Sequence, residues 1–163
     1  MKRTAFVILA AAGLALTGCS HDDRPALMAL EDKLIDGLGK GNIDRIMECY
    51  IQDESLVVFD VVPPRQYMGA KAYRKDWADF MAMAPGGIRV EPSDRFVEAS
   101  GDIGYGHMIV HVSFTAKDGT KLEHTARMTD VYRKIGGNWL IVHEHASWPA
   151  EFPSGKADLN SRP

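Results

Sequence analysis

Carboxylates and imidazoles stand among large apolar residues at several points in this chain. Asp60 closes the short apolar run Leu56-Val57-Val58-Phe59. Asp130 opens Asp130-Val131-Tyr132, and His143, Glu144 and His145 follow Leu140-Ile141-Val142. An Asp surrounded by Phe, Trp and Met is disfavoured as an anion, so its pKa rises. It then serves as a base near neutral pH, or stays protonated and donates a hydrogen bond. Either state suits enolisation of a carbonyl compound or proton movement during a ring closure. Plainer roles exist for the same residues: Asp60 as the opening of a turn toward Pro63-Pro64, and Asp130 as a strand Asp held by a structural hydrogen bond. A metal site fits poorly. His107 and His111 with Asp60 or Glu144 have the right types for two imidazoles and a carboxylate. Four residues of strand nevertheless separate the two Cα atoms by about 13 Å. No glycine-rich phosphate loop follows a strand, and no Ser-His-Asp or Cys-His set stands out, so no metal and no cofactor are expected.

These residues need elements to hold them. Leu27, Leu30, Leu34, Ile35 and Leu38 recur at helical spacing, and Gly37, Gly39 and Gly41 end that helix. Asn42 is a suitable N-cap for a second helix with Ile43, Ile46, Met47 and Tyr50 on one stripe. A short strand from Glu54 to Asp60 puts Val57 and Phe59 on one face and Leu56, Val58 and Asp60 on the other. A third helix from about Gly69 to Ala82 carries Tyr73, Trp77, Phe80 and Met81 on its apolar face, first of all as core packing. From Ile88 the pattern becomes β: Ile88 to Val97, Ile103 to Thr115, Lys121 to Ile135 and Asn138 to Trp148. The connections Ser100-Gly101-Asp102, Lys117-Asp118-Gly119-Thr120 and Gly136-Gly137 are turn chemistry for antiparallel neighbours. Helices followed by long antiparallel strands predict an α+β domain, with a curved sheet wrapped around three helices and open at one end.

The composition, 45% hydrophobic and 25% charged over 163 residues, fits one globular domain. Met1-Lys2-Arg3 followed by an apolar run to Leu16 has the layout of a secretory signal, too short to span a bilayer. Leu16-Thr17-Gly18-Cys19 matches the bacterial lipoprotein processing box. That resemblance implies cleavage before Cys19, lipidation of its sulfur and attachment to the membrane through the lipid alone. Ser20 after the cysteine implies the outer membrane, with the domain in the cell envelope facing the periplasm. The expected divisions are 1–18 signal, 19–25 tether, 26–148 domain and 149–163 irregular tail. Without Lys2 and Arg3 the 19 basic residues become 17 against 22 acidic ones, net −5. No basic run appears, which argues against a nucleic-acid partner. With Cys19 in the anchor, Cys49 is left as a buried, unpaired thiol.

The order of elements and several strings resemble the nuclear transport factor 2-like superfamily, and within it the SnoaL-like and ketosteroid-isomerase-like proteins. The strings are Gly41-Asn42-Ile43-Asp44, Val58-Phe59-Asp60, Gly69 to Trp77, and Asp130 to Lys134 running into Asn138 to His145. The Trp139 to His145 string is also similar to the association domain of calmodulin-dependent kinases. The resemblance covers Ala26 to Trp148 and implies a cone-shaped fold with a small, largely apolar ligand in its mouth. It places Asp60 where ketosteroid isomerases keep their base and Asp130 where they keep a neutral oxyanion-holding Asp. Their tyrosine, however, falls at Leu34, and Val61 stands where a proline would follow the base, so the steroid-isomerase constellation is incomplete. Carried over as register, the resemblance sends Asp130, Met128, Ala126 and His124 inward, with Val142, Glu144 and Ala146 opposite. His143 and His145 then lie on the outer face, in a subunit contact of a homodimer. Tyr105, His107, Ile109 and His111 take the pocket face. The implied site is Asp60 and Asp130 as catalytic acids or bases, lined by Trp77, Phe80, Met81, His107, His111 and Glu144. A binding or assembly module without catalysis is the competing expectation.

Overall fold

The computed structural model describes residues 22–161. Helix α1, Arg24–Gly39, begins with Pro25 in its first turn, where the missing N–H costs nothing. Its leucines 27, 30, 34 and 38 are all buried. Gly37 lets the second helix approach: a Cβ there would meet Ile46 at about 3.0 Å. That helix, α2 at Ile43–Met47, is shorter than its apolar stripe implies. The Asn42 side chain caps it by accepting from the Arg45 N–H at 3.0 Å. Beyond it, Cys49 and Ile51 leave helical geometry and exchange backbone hydrogen bonds with Ile141 at 2.8 and 2.9 Å. Cys49 is buried and unpaired, and burial pushes its thiol up to about 11. Helix α3 spans Ala70–Met83.

Six strands form one sheet: β1 Val57–Phe59, β2 Tyr67–Met68, β3 Ile88–Ser100, β4 Ile103–Thr115, β5 Lys121–Ile135 and β6 Asn138–Ser147. Their order is β2-β1-β6-β5-β4-β3. Strands β3 to β6 are an antiparallel meander, whereas β1 runs parallel to β6, so the sheet is mixed rather than wholly antiparallel. The parallel pair arises because α3 and the long strands intervene between β1 and β6 in the chain. The β5–β6 hairpin turns at Gly136-Gly137, both with positive φ (57° and 86°), as a two-residue turn matched to strand twist requires. The sheet curls over the helices without closing. Its concave side holds the core: Leu27, Leu34, Ile46, Tyr50, Tyr73, Tyr132 and Ile141 are at most 1% exposed. The residues after β6 are turns rather than loose chain. Ala150 bridges Ala157, and the Thr125 N–H donates to the Leu159 carbonyl at 2.8 Å, so the tail returns to β5 where β6 has ended.

Two irregularities set the inward faces. A bulge between Val131 and Tyr132 puts Tyr132 opposite Ile141 while Asp130 stays opposite Glu144. Ile141, not Val142, therefore takes the fully buried position. On β4 the buried positions are Gly104, Gly106, Met108 and Val110. Strand alternation then turns Tyr105, His107, Ile109 and His111 outward, the reverse of the expected assignment.

Candidate functional site

The concave face of the sheet, α1 and α3 enclose a cavity of about 410 Å³. Its walls are apolar and aromatic: Leu34, Trp77, Phe80, Met108, Met128 and Trp148. Asp60 and Asp76 line it from the β1 end, and Glu31 and Glu144 line it from α1 and β6. Leu159 of the tail reaches the same space.

Glu144 is 2% exposed, yet both carboxylate oxygens are occupied. The Tyr50 hydroxyl donates to Oε2 and the Tyr73 hydroxyl to Oε1, each at 2.5 Å. The two tyrosines meet edge to face at 5.3 Å. Burial raises the Glu144 pKa to about 7, and the two phenolic donors restrain the rise. Behind Glu144 lies a second acidic pair. The Tyr132 hydroxyl donates to Glu31 Oε1, and the carboxyl of Asp130 faces Glu31. Asp130 is wholly buried, and burial, then the charges of Glu144 and Glu31, drive its pKa well above the carboxylate range. Burial also raises Glu31, against the Tyr132 hydrogen bond. No donor among the described residues reaches Glu31 Oε2 or either oxygen of Asp130.

At the other end, burial lifts Asp60 to about 6, against the Val61 N–H, which donates to Oδ1 at 2.5 Å. The neighbouring carboxyl of Asp76, itself bonded by the Tyr67 hydroxyl at 2.5 Å, pushes in the same direction as burial. The indole N–H groups of Trp77 and Trp148 are buried without an acceptor among the described residues. The site thus offers a carboxyl that exchanges a proton near neutrality and a buried acidic network behind it, with two indole N–H groups left unpaired in its walls.

Of the residues singled out from sequence, Asp60, Trp77, Phe80 and Glu144 meet at this cavity. The others do not. Met81 turns toward Gly41: the cavity face of α3 is centred on Asp76, Phe80 and Met83, with Trp77 at its edge and Met81 beyond that edge. His107 stacks on Phe96 at 5.3 Å on the outer face, and His111 Nδ1 pairs with the Thr125 hydroxyl at 3.2 Å. Asp130 points inward but lies behind the wall, screened by Glu31 and Glu144, and touches no cavity surface. His143 and His145 lie outside, both packed edge-on to Phe59. Cys19 lies outside the described residues. Glu31, Tyr50, Tyr73 and Tyr132 were not anticipated. Glu31 had a signal: it falls inside the leucine stripe, four residues after Leu27 and three before Leu34, where a charge is out of place. The hydroxyls absent at Leu34 are supplied from α3 and from the segment after α2.

The family model described as "SnoaL-like domain" matches residues 27–151. No curated protein matches the sequence. Among solved structures, an NTF2-like protein of unknown function from Pseudomonas putida KT2440 is 28% identical with a TM-score of 0.75, over 84% of this chain and 94% of that one. A Xanthomonas campestris protein, named as a candidate calcium/calmodulin dependent protein kinase II association domain, is 23% identical with a TM-score of 0.66, over 86% and 96%. A nuclear transport factor 2 (NTF2-like) superfamily protein from Salmonella enterica serovar Typhimurium is 16% identical with a TM-score of 0.70, over 81% and 94%. The last two likenesses concern the fold alone.

Proposed function

Because the chain belongs to the SnoaL-like domain family of the NTF2-like superfamily, we propose that it binds a small, largely apolar molecule in the cone-shaped cavity. The observation that carries this reading is the enclosed space of about 410 Å³, walled mostly by apolar and aromatic side chains with acidic groups among them. That size and lining are those of a small-molecule site. The ligand's hydrocarbon packs on Trp77, Phe80 and Trp148. Native mass spectrometry of the purified protein is the test: one retained molecule per chain is expected. A protein that emerges empty and shows no change in tryptophan fluorescence with apolar probes would sink the proposal.

Proton transfer without a cofactor is the second reading, favoured by Asp60 standing at the cavity with a pKa of about 6. In it Asp60 takes a proton from the ligand as general base. Asp130 acts only through Glu31 and Glu144. Asp60→Asn should abolish turnover of a substrate found by the first experiment while leaving its binding intact; full turnover would remove Asp60 from the chemistry. The proposal extends to the cell envelope, with Cys19 lipidated and the domain at the outer membrane facing the periplasm, on the strength of Leu16-Thr17-Gly18-Cys19. The intact mass of detergent-extracted protein, starting at Cys19 with a diacylglycerol adduct, is the expected result.

A further inference from the structure

The ionisable residues around the cavity carry one sign. Glu31, Asp60, Asp76, Asp79, Glu123 and Glu144 line it, with His124 beside them, and among the described residues no Lys or Arg lines it. Arg95 is the cation whose charge reaches Glu31. It is not at the cavity: it pairs with Asp32 at 2.8 Å and donates to the Met28 carbonyl at 3.3 Å. Glu31 is 1% exposed, and its Oε2 meets no donor among the described residues. A buried carboxyl lacking donors is costly, and a ligand that brings donors and positive charge relieves that cost. The walls suit the same charge, because the faces of Trp77, Phe80 and Trp148 attract cations at close range. A carboxylate or phosphate ligand would instead meet uncompensated negative charge in a low-dielectric space.

Resting on the binding reading above, we infer that the cavity selects an organic cation: an apolar, ring-bearing amine whose ammonium group is held by Glu31 and Glu144 at the inner end. Its hydrocarbon lies along Trp77, Phe80 and Trp148. Ammonium N–H groups supply the donors that Glu31 Oε2 lacks, and the positive charge favours the ionised state of the acidic network. Cavity potential thus selects among molecules of one shape, since the apolar walls alone do not distinguish an amine from its alcohol.

The test is a matched series on the intact protein: 1-naphthylmethylamine, 1-naphthylmethanol and 1-naphthoate, titrated at pH 7 and followed by tryptophan fluorescence and calorimetry. The amine is expected to bind at least tenfold tighter than the alcohol, with the carboxylate weakest. Equal or tighter binding of the alcohol or the carboxylate overturns the cation assignment while leaving the apolar cavity standing. Failure of all three to bind defeats the binding reading as well. In Glu31→Gln the amine should lose about tenfold and the alcohol should be unchanged. An equal loss for both would mark Glu31 as a packing residue only, and overturn its role. The series on the unaltered protein decides the question if that variant does not fold.

Discussion

Glu144 sits at the junction between stability and chemistry. It is a buried carboxyl whose two hydrogen bonds, from Tyr50 and Tyr73, hold it in place without fully offsetting its lost hydration. The sign of its effect follows from proton counting. The unfolded chain releases this proton near 4.5, whereas the folded protein keeps it until about 7. Between those limits the native state binds more protons, so stability falls as pH rises, by up to about 1.4 kcal/mol per pH unit. Asp60 acts in the same direction between 3.8 and about 6. His124, whose pKa burial lowers from 6.5, opposes them below that value. The ion-paired acids Asp36 and Glu48 have lowered values and act at more acidic pH. Urea unfolding is therefore expected to show a midpoint that declines from pH 5 to pH 7.5. Asp130 and Glu31, which burial also raises, add to the decline, so Glu144→Gln should make it shallower without removing it; a profile in the native protein that rises or stays level would refute the assignment. The inward direction of Asp130 and Glu144 was legible only through the family resemblance, because an unbroken count out from the Gly136-Gly137 turn would run past the bulge and set Asp130 opposite His143. The partners were not: Tyr50 and Tyr73 read equally well as plain apolar-stripe residues, and only the fold aims both hydroxyls at one carboxyl.

At the level of elements, the acidic network depends on two strands and a helix coming closer than side chains usually allow. Gly106 of β4 lies opposite Asp130 of β5, and a Cβ there would stand about 2.4 Å from the Tyr132 hydroxyl and 2.9 Å from the Phe96 carbonyl. The absent side chain is the space in which Tyr132 reaches Glu31. Gly106→Ala must move backbone as well as a ring, so a loss of about 1–3 kcal/mol is expected, the range for overpacking a filled interior. Differential scanning calorimetry gives the stability change. The Glu31–Tyr132 contact should go with it, seen as a blue shift in tyrosine absorbance on lowered burial. An alanine variant with unchanged melting would show that the approach is not tight. The same glycines explain the misassigned face of β4. By residue type its odd positions, with Tyr105, His107 and His111, look like a site, and its even positions, with two glycines, look like a weak strand. Buried space on this strand is taken by neighbours' side chains, Leu27 over Gly104 and Tyr132 over Gly106, which one strand's sequence does not reveal. The bulge at Val131 and the parallel pairing of β1 with β6 were hidden for the same reason, since both are settled by long-range packing.

On the scale of the whole molecule, the curled sheet has two sides with different work. The concave side is consumed by core and cavity, and the returning tail contributes Leu159 to the cavity. The outer side leaves aromatic groups in water: Phe59, Phe96 and Tyr105 are 38%, 41% and 45% exposed. Phe59 is flanked by His143 and His145, and Phe96 by Tyr105 and His107. Four strands about 4.8 Å apart and roughly ten residues long offer a footprint of about 600 Å². With side-chain relief, that approaches the roughly 800 Å² per partner of a stable interface. Such a face, apolar at intervals and free of buried charge, fits a second copy of the same chain better than a charged partner. A homodimer through the outer face of the sheet is thus the expected assembly, with light scattering returning twice the chain mass at high concentration. Phe96→Asp should shift that mass to a monomer while leaving far-ultraviolet circular dichroism unchanged, because Phe96 contributes nothing to the core behind the sheet. A native protein that stays strictly monomeric would leave these aromatics without a partner of this kind, and a Phe96→Asp dimer would move the interface to another face.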